Sequence, residues 1–367
     1  MFGPAPIITV EDARQLARRR LPAMVFDYID GAAGEEYGES ENRKALQEID
    51  LPTRVLRDVE TRSIKGQLFG QETGLPFAIA PMGMCNLSAP GADYMLARLA
   101  AKHKIPLGVS TFSSTSLEKI IEAAEGHAWF QLYYSAERAA AEHFVKRAEA
   151  SGYDVLIFTV DVPELGKRPR ELRRGFKIPF KMGVPQFLDC AFHPRWSLTS
   201  LFSGIPGPAN FEGPLAGFNR SASRAGADWD YLGILRDLWK GKLVVKGVVN
   251  AEDALRLKKT GVDAVQVSSH GGRQLDSAPL PIRALPKIRE VVGPDYPLFY
   301  DSGIRSGEDV VKAYRTGADF VFVGRPFQYS IAAAGERGLE EICDILASDV
   351  SVALAMMGLK SIDEIKS

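Results

Sequence analysis

Eight short apolar runs, most of them separated by helix-forming intervals, are the sequence feature that most constrains the fold. Uninterrupted runs of this length, rich in β-branched and aromatic residues, are typical of parallel strands that are covered on both faces. The runs are Phe77–Pro81, Pro106–Ser110, Ala128–Tyr133, Asp154–Val160, Leu243–Val248, Asp263–Ser269, Leu298–Gly303 and Phe320–Gly324. Eight βα units predict an α/β fold, the closed TIM (β/α)8 barrel, with functional side chains at the C-terminal ends of the strands.

The chain of 367 residues is longer than a typical barrel of roughly 250 residues, so the additional residues must form other elements. We expect one domain over 1–367, with an N-terminal helical cover at 1–76 and the barrel at 77–330. A long loop at 167–230 interrupts the barrel after the fourth strand, and C-terminal helices follow at 331–367. The first 60 residues contain no GxGxxG after a strand, which argues against a dinucleotide-binding start.

The charge and the cysteines narrow the class of protein. The net charge is −1, so nothing draws the whole chain toward nucleic acid. Cys85, Cys190 and Cys343 are scattered, which argues against a disulfide framework and against a metal cluster. There is no apolar run of about 18 residues and no secretion signal at the start. We therefore expect a cytoplasmic protein without a metal.

The interval between the fourth and fifth runs, about 80 residues, is far longer than an ordinary βα connection. Its middle, Phe176 to Phe218, holds seven of the 19 phenylalanines together with Trp196 and several basic residues. This composition suits a membrane interface. An ordered lid or a contact between subunits also explains it, and composition alone favours this second interpretation.

The sixth run leads into Ser268–Asp276, which reads SSHGGRQLD. Two glycines let the backbone turn between His270 and Arg273, so that a base and an anion clamp can face one small substrate with a carboxylate. Asp161, at the end of the fourth run, could stabilise a protonated His270 or could cap the next element. Arg168 is a candidate second carboxylate ligand or a solvated charge.

Lys246 lies inside the fifth apolar run, where a lysine is costly to bury without a charged partner. It could form a Schiff base, as in an aldolase, or stabilise a cofactor that becomes anionic. Glycines and arginines at 301–305 and 324–326 follow the last two runs, where barrels commonly bind phosphate. A mononucleotide cofactor is therefore predicted.

Four motifs occur in order, and together they carry a resemblance that extends from residue 21 to about residue 362. They are FQLY at 130–133, VKG at 245–247, SSHGGRQLD at 268–276 and DSGIRSG at 301–307. The chain resembles the FMN-dependent α-hydroxy acid oxidases and dehydrogenases. Members of that family convert an L-2-hydroxy acid to the 2-oxo acid and pass the electrons from FMN to a second substrate, and many of them are tetramers. The resemblance thus implies FMN and a homotetramer.

The resemblance also implies a role for each matching residue. His270 is the base, Asp161 is its partner, and Arg273 with Arg168 holds the substrate carboxylate. Tyr133 and Tyr28 bind the substrate oxygens. The implied FMN ligands are Ala80, Pro81, Met82, Ser110, Gln131, Thr159, Lys246, Ser268, Asp301, Gly303, Arg305, Gly324 and Arg325. Among these, Lys246 stands beside the flavin N1 and C2 carbonyl, where reduction places negative charge.

Three departures from the family pattern concern the choice of substrate. Met82-Gly83 stands where many members have Thr-Ala, Phe112 replaces a tryptophan, and Ser269 replaces an asparagine before the base. Gly83 and Phe112 suggest room for a substrate side chain larger than that of glycolate.

Residues 188–198 are similar to a stretch of the membrane-associated mandelate and lactate dehydrogenases of this family. This similarity favours a quinone or another carrier as the electron acceptor, and it predicts peripheral contact of 177–215 with the inner face of a membrane. The alternatives are an oxidase that reduces oxygen to hydrogen peroxide, a Schiff-base lyase that uses Lys246, and a flavin-binding barrel without catalysis.

Overall fold

The computed structural model describes residues 6–176, 183–204, 206–211 and 223–366. Its strands are β1 (Gly66–Leu68), β2 (Gln71–Thr73), β3 (Phe77–Met82), β4 (Leu107–Ser110), β5 (Ala128–Tyr133), β6 (Val155–Thr159), β7 (Lys242–Val248), β8 (Ala264–Val267), β9 (Leu298–Tyr300) and β10 (Phe320–Val323). Strands β3 to β10 form a closed parallel barrel in which β10 pairs with β3. Each of the eight predicted runs overlaps one barrel strand, and no strand extends more than one residue beyond its run, which confirms the TIM barrel.

Helices surround the barrel. They are α1 (Val10–Arg20), α2 (Ala23–Asp30), α3 (Tyr37–Gln47), α4 (Ala92–His103), α5 (Leu117–Ala123), α6 (Arg138–Ala150), α7 (Pro169–Arg173), α8 (Val184–Ala191), α9 (Pro194–Ser203), α10 (Trp229–Leu238), α11 (Ala251–Lys259), α12 (Pro281–Val292), α13 (Gly307–Thr316), α14 (Arg325–Ala334) and α15 (Glu336–Met357). Helix α14 crosses residue 330, where the sequence predicted the start of the C-terminal helices.

The interior of the barrel changes from apolar to polar toward the C-terminal ends of the strands. Trp129, Ile157, Val244 and Phe299 belong to one buried apolar cluster inside the barrel. Side chains two positions apart on a strand face the same side. The next inward positions on these four strands are therefore Gln131, Thr159, Lys246 and Asp301, all buried and all polar. The strand period thus places a polar layer directly under the barrel mouth.

The hairpin β1–β2 covers the opposite end of the barrel. Phe69 lies at its turn, 5.7 Å from the Trp129 ring and 5.5 Å from the Phe299 ring, measured between ring centroids. The prediction of a purely helical N-terminal cover was wrong at this point. The two strands have three residues each, too few for an alternating pattern to be read from the sequence.

Helix α2 brings Tyr28 to the barrel mouth, where its hydroxyl donates to the Gly83 carbonyl at 3.2 Å. Helix α1 precedes it and begins with a capping box between Thr9 and Asp12. The buried face of α1 consists of the small residues Val10, Ala13 and Ala17, and this helix packs against α14. The N-terminal segment thus closes one side of the site.

The insertion between β6 and β7 contains α7, α8 and α9, and α10 follows it. The Trp196 indole of α9 donates to the Leu87 carbonyl at 2.8 Å, which ties this segment to the barrel. Among the described residues, no helix is both long enough and apolar enough to cross a membrane.

Candidate active site

A cavity of about 380 Å³ lies at the C-terminal ends of the barrel strands. The predicted site residues on its wall are Tyr28, Ala80, Pro81, Met82, Ser110, Tyr133, Arg168, Lys246, His270, Arg273, Asp301, Gly303, Arg305, Gly324 and Arg325. Four others, namely Gln131, Thr159, Asp161 and Ser268, are buried or half-buried and are not on the wall. Asp161 and Ser268 hydrogen-bond to the wall residues His270 and Lys246.

His270 and Asp161 form a pair between the ends of β8 and β6. The His270 Nδ1 atom lies 3.0 Å from the Asp161 Oδ1 atom. His270 has φ +55°, in the left-handed region, and its N–H donates to the Ser268 hydroxyl at 2.9 Å. On β7, Gly247 has φ +103°, and a Cβ atom there would lie 2.5 Å from the Asp161 Cβ atom. Asp161 can approach His270 only because position 247 has no side chain.

The environment of the pair makes His270 a base. Burial lowers the pKa of His270 below its ordinary value, although Asp161 raises it in part. The pKa of Asp161 is held low, against the effect of burial, by His270 and by the nearby Lys246. An ionised carboxylate only accepts hydrogen bonds, so Nδ1 carries the proton and Nε2 keeps a free lone pair. At neutral pH, His270 is therefore a neutral base oriented by an anion.

Arg273 and Arg168 lie side by side at one wall of the cavity. Arg273 Nη2 is 3.0 Å from the Glu171 carboxylate, and Arg168 Nη1 is 3.6 Å from the same oxygen. Arg273 also donates to the main-chain carbonyls of Tyr28 and Gly31, at 2.8 and 2.7 Å. Two guanidinium groups that share one carboxylate form a site for an anion. Glu171 was not predicted from the sequence.

Two tyrosines complete this wall. The Arg273 guanidinium lies over the Tyr28 ring, at 5.4 Å from its centroid. The Phe176 ring stacks on the Tyr28 ring with 4.6 Å between the two centroids. Burial raises the pKa of Tyr28 to about 12, and burial also raises the pKa of Tyr133. Both phenols are therefore protonated at neutral pH and can donate hydrogen bonds.

Lys246 is buried at the centre of the barrel mouth. Its ammonium is 3.0 Å from the Asp301 carboxylate and donates to the Ser268 hydroxyl at 2.8 Å. Burial opposes the charge, but Asp301 and Asp161 outweigh that effect and raise the pKa of Lys246. A Schiff base requires a neutral amine, so this environment argues against the lyase alternative. It provides instead a fixed positive charge.

Arg305 and Arg325 form a second cationic end of the cavity. Arg325 donates to the Gly271 and Gly31 carbonyls, both at 2.9 Å, and Arg305 pairs with Glu39 at 3.0 Å. Burial, together with the neighbouring Arg305, lowers the pKa of Arg325. Two half-buried guanidiniums at the ends of β9 and β10 are suited to bind a dianion.

Comparison with known proteins identifies the family. The sequence profile described as FMN-dependent dehydrogenase matches residues 17–367. The (S)-mandelate dehydrogenase of Pseudomonas putida is 40% identical over 364 residues, which cover 97% of this chain and 92% of that protein. An L-lactate dehydrogenase of Acinetobacter baumannii is 36% identical over 366 residues, 97% and 95% of the two chains.

A solved structure agrees with this assignment. The crystal structure of the monotopic membrane protein (S)-mandelate dehydrogenase superimposes with a TM-score of 0.94 at 38% identity, and it covers 98% of both chains. The chain belongs to the FMN-dependent dehydrogenase family.

The residues of this family member at the barrel mouth fit FMN. The Gln131 amide donates to the Thr159 hydroxyl at 2.9 Å, while its Oε1 atom is buried without a hydrogen-bond partner among the described residues. The Arg305 Nε atom is likewise buried without a hydrogen-bond partner among the described residues. A flavin ring above the polar layer can donate to Gln131, and a phosphate can use the guanidiniums of Arg305 and Arg325. The cavity thus offers partners for both ends of FMN.

The structure of this FMN-dependent dehydrogenase also places residues at the site that the sequence did not predict. Glu171, Phe176, Arg224, Ser302 and Gln328 all line the cavity. Ser302 lies inside the DSGIRSG motif, where it was assigned no role, whereas Glu171, Phe176 and Arg224 belong to the long insertion and Gln328 lies in α14. The arginine-rich sequence around Glu171 was the available signal, but it also fits a solvated helix.

Proposed function

We propose that the protein oxidises an L-2-hydroxy acid to the 2-oxo acid with FMN and passes the electrons to a quinone-like carrier. The observation that carries the proposal is the juxtaposition of a neutral, aspartate-oriented His270 with Arg168 and Arg273 in one cavity. A base beside a carboxylate clamp suits substrates that carry a hydroxyl next to a carboxylate. Mandelate and lactate, the acids in the names of the relatives, both have this arrangement.

In the proposed reaction, Arg273 and Arg168 bind the substrate carboxylate and fix the position of the α-carbon relative to His270. Tyr28 and Tyr133 donate hydrogen bonds to the substrate oxygens. The His270 Nε2 atom removes the α-proton or the hydroxyl proton, and Asp161 stabilises the imidazolium that forms. FMN, when bound, would supply the acceptor for the two electrons and for the remaining hydrogen that leave the substrate. Lys246 provides a positive charge beside the cofactor.

Anaerobic flavin bleaching tests this function. The holoenzyme is mixed with a panel of L-2-hydroxy acids and with their D-enantiomers, and flavin absorbance is followed in a stopped-flow instrument. We expect L-acids to bleach the flavin and D-acids to fail. His270→Gln should keep the yellow colour and lose bleaching by at least about 10²-fold. Unaffected bleaching in this variant would remove His270 from its assigned role.

The electron acceptor is decided in the second half of the same experiment. Oxygen or a short-chain quinone is added to the bleached enzyme, and the rate of reoxidation is measured. The proposed dehydrogenase reoxidises rapidly with the quinone and slowly with oxygen. Fast reoxidation by oxygen with stoichiometric hydrogen peroxide would establish the oxidase alternative instead.

We also propose that the insertion touches the cytoplasmic face of a membrane. Helices α8 and α9 expose large apolar side chains to solvent, among them Phe187 at 63% and Phe202 at 86% exposure. The exposed Arg195 and the arginines of α1 and α7 lie in the same part of the molecule as the basic cavity beside His193. Apolar side chains with flanking arginines suit an anionic lipid interface. Residues 177–182, 205 and 212–215 of the predicted membrane segment lie outside the described residues.

Vesicle co-sedimentation tests the membrane contact. The double variant Phe187→Ser/Phe202→Ser should lower the partition onto vesicles of phosphatidylcholine and phosphatidylglycerol by more than about tenfold, because two apolar groups no longer leave water. Val352→Ser/Met356→Ser, which alters two exposed apolar residues of α15, is the matched control. Equal binding of both variants would contradict the proposed contact.

We propose finally that the protein is a cytoplasmic homotetramer when it is detached from the membrane. The support is the resemblance to a family in which tetramers are common. Light scattering coupled to size exclusion measures the mass, and a monomer of 40.1 kDa would contradict this assignment.

A further inference from the structure

Arg224 is a buried cation at the active-site cavity that the proposed reaction does not use. It lines the cavity and is 8% exposed. Its backbone is fixed to the loop that follows β6, since its N–H donates to the Pro163 carbonyl at 2.9 Å. The preceding Ser223 hydroxyl hydrogen-bonds to Glu164 in the same loop. The position of this arginine therefore follows from the barrel and not from the insertion alone.

The guanidinium of Arg224 lies on an aromatic wall of the cavity. Its Cζ atom is 5.1 Å from the centroid of the Tyr133 ring and 5.7 Å from that of the Phe112 ring. Phe112 in turn faces Gly83, where an added Cβ atom would lie 3.1 Å from the Phe112 Cβ atom. Gly83 and Phe112 are the two positions at which the sequence leaves room for the substrate side chain. Arg224 therefore stands at the side-chain end of the cavity.

The other arginines of the cavity belong to different parts of it. Arg168 and Arg273 share Glu171, and Arg305 pairs with Glu39 at the end that suits the FMN phosphate. A guanidinium remains charged at every physiological pH and binds a carboxylate through two parallel hydrogen bonds. A substrate carboxylate at this end of the cavity would form a charge-assisted hydrogen bond with this cation, which an apolar substrate group could not form.

We infer that Arg224 is a specificity-determining residue that binds a second carboxylate at the far end of the substrate. The preferred substrates are then L-2-hydroxydicarboxylic acids, in which one carboxylate meets Arg168 and Arg273 and the other meets Arg224. This inference rests on the proposed function and narrows its substrate class. It also explains why the side-chain end of the cavity combines extra room with a positive charge.

The first test compares acids of equal length with and without the second carboxylate. L-malate is compared with L-2-hydroxybutyrate, and L-2-hydroxyglutarate with L-2-hydroxyvalerate, by anaerobic flavin reduction in the holoenzyme. We expect kcat/KM for at least one diacid to exceed that for its monoacid by roughly 10- to 100-fold, the range for a charge-assisted hydrogen bond. A monoacid that is equal or better in both pairs overturns the inference.

The second test uses Arg224→Met and Arg224→Lys. The methionine removes the charge and keeps much of the length, and it should lower the diacid-to-monoacid ratio of kcat/KM by at least about tenfold, mainly through KM. The lysine should retain part of the preference. If Arg224→Met lowers kcat/KM for both acids by the same factor, Arg224 only closes the cavity and the inference is wrong. Should that variant lose FMN, Arg224→Lys and the wild-type comparison still decide.

The outcomes separate this inference from the function on which it rests. Flavin that no L-2-hydroxy acid bleaches contradicts the proposed function itself. Bleaching by monoacids without preference for a diacid contradicts only the role of Arg224.

Discussion

At the residue scale, the catalytic pair depends on groups that do not touch substrate. Asp161 approaches His270 because Gly247 leaves space, and Ser268 fixes the His270 backbone in the left-handed region. A histidine is among the few residues that adopt this region at modest cost. The orientation of the base is therefore set by the loop after β8 and by β7 together.

The charge of Asp161 should control both the rate and its pH dependence. His270 acts as a base only when neutral, so kcat/KM falls as the pH decreases through the pKa of His270, which burial places below its ordinary value. Asp161→Asn removes an anion that raises this pKa. We expect the acid limb to move to lower pH and kcat to fall by roughly 10²- to 10⁴-fold, because the imidazolium is no longer stabilised. The profile is measured by flavin reduction between pH 5 and 9.

A shift of the acid limb to higher pH in Asp161→Asn would contradict this electrostatic account. Asp154→Asn, which alters an exposed aspartate before β6 outside the site, is the control and should leave the profile unchanged.

Lys246 should contribute to stability as well as to catalysis. Lys246→Met leaves the Asp301 carboxylate buried without its ammonium partner, which costs about 3–5 kcal/mol of unfolding free energy. Lys242→Met, at an exposed position on the same strand, should cost less than about 1 kcal/mol. Urea denaturation measures both variants. Adding Asp301→Asn to Lys246→Met should restore part of the loss, and no restoration would argue against an unpaired charge as the cause.

At the scale of elements, strand β7 does more than complete the barrel. It pairs in register with β6 up to Thr159–Lys246, and its pairing with β8 shifts between Lys246 and Val248. The intervening Gly247 has φ +103°. This irregularity lets Lys246 face the barrel interior while the chain passes close to Asp161. A regular strand with a side chain at 247 would separate the base from its partner.

Gly247→Ala should therefore impair both folding and catalysis. The positive φ costs about 1–3 kcal/mol for an alanine, and the new Cβ atom would displace Asp161. A displacement of about 1 Å is expected to lower kcat by about 10²-fold. Gly233→Ala, in helix α10 with open space around the position, should instead stabilise by up to about 1 kcal/mol. Thermal unfolding and flavin reduction measure the two effects, and a fully active Gly247→Ala would refute this role.

At the scale of the whole molecule, positive and negative charges balance in number but are unevenly distributed. The net charge is −1, yet Lys246, Arg168, Arg273, Arg305 and Arg325 meet at one end of the barrel. Such a concentration is costly for the folded chain by itself, because the five cations lie near one another in a partly buried site and the carboxylates of Glu39, Glu171 and Asp301 oppose them only in part. An anionic cofactor offsets this cost, so FMN is expected to be part of the stability of the fold.

FMN should stabilise the protein more than riboflavin does. At about 100 times the dissociation constant, a ligand specific for the folded state adds about 2.7 kcal/mol to the unfolding free energy. Riboflavin lacks the phosphate that Arg305 and Arg325 are placed to bind, so its effect at equal concentration should be smaller. Thermal unfolding of the apoprotein with each ligand measures the difference. Equal stabilisation would show that these arginines do not bind the phosphate.

Much of the barrel was predictable because short local sequence patterns specify its strands. Each strand is a short apolar run, and each polar group of the mouth follows such a run at the strand period, as Gln131 follows Trp129. The juxtaposition of His270 with Asp161 was also predictable, since parallel strands bring their C-terminal ends to one edge. Glu171 was not, because its helix of five residues begins in a basic segment and could equally face solvent.

The sequence by itself determined the barrel, the cofactor class and the candidate for the base, because these depend on periodicity and on short local motifs. Only the tertiary structure decided which distant groups complete the site. The β1–β2 hairpin, the carboxylate of Glu171 and the guanidinium of Arg224 reach their places through contacts between segments far apart in the chain. Such contacts depend on how the barrel closes and how the insertion packs on it, and no local pattern records that geometry.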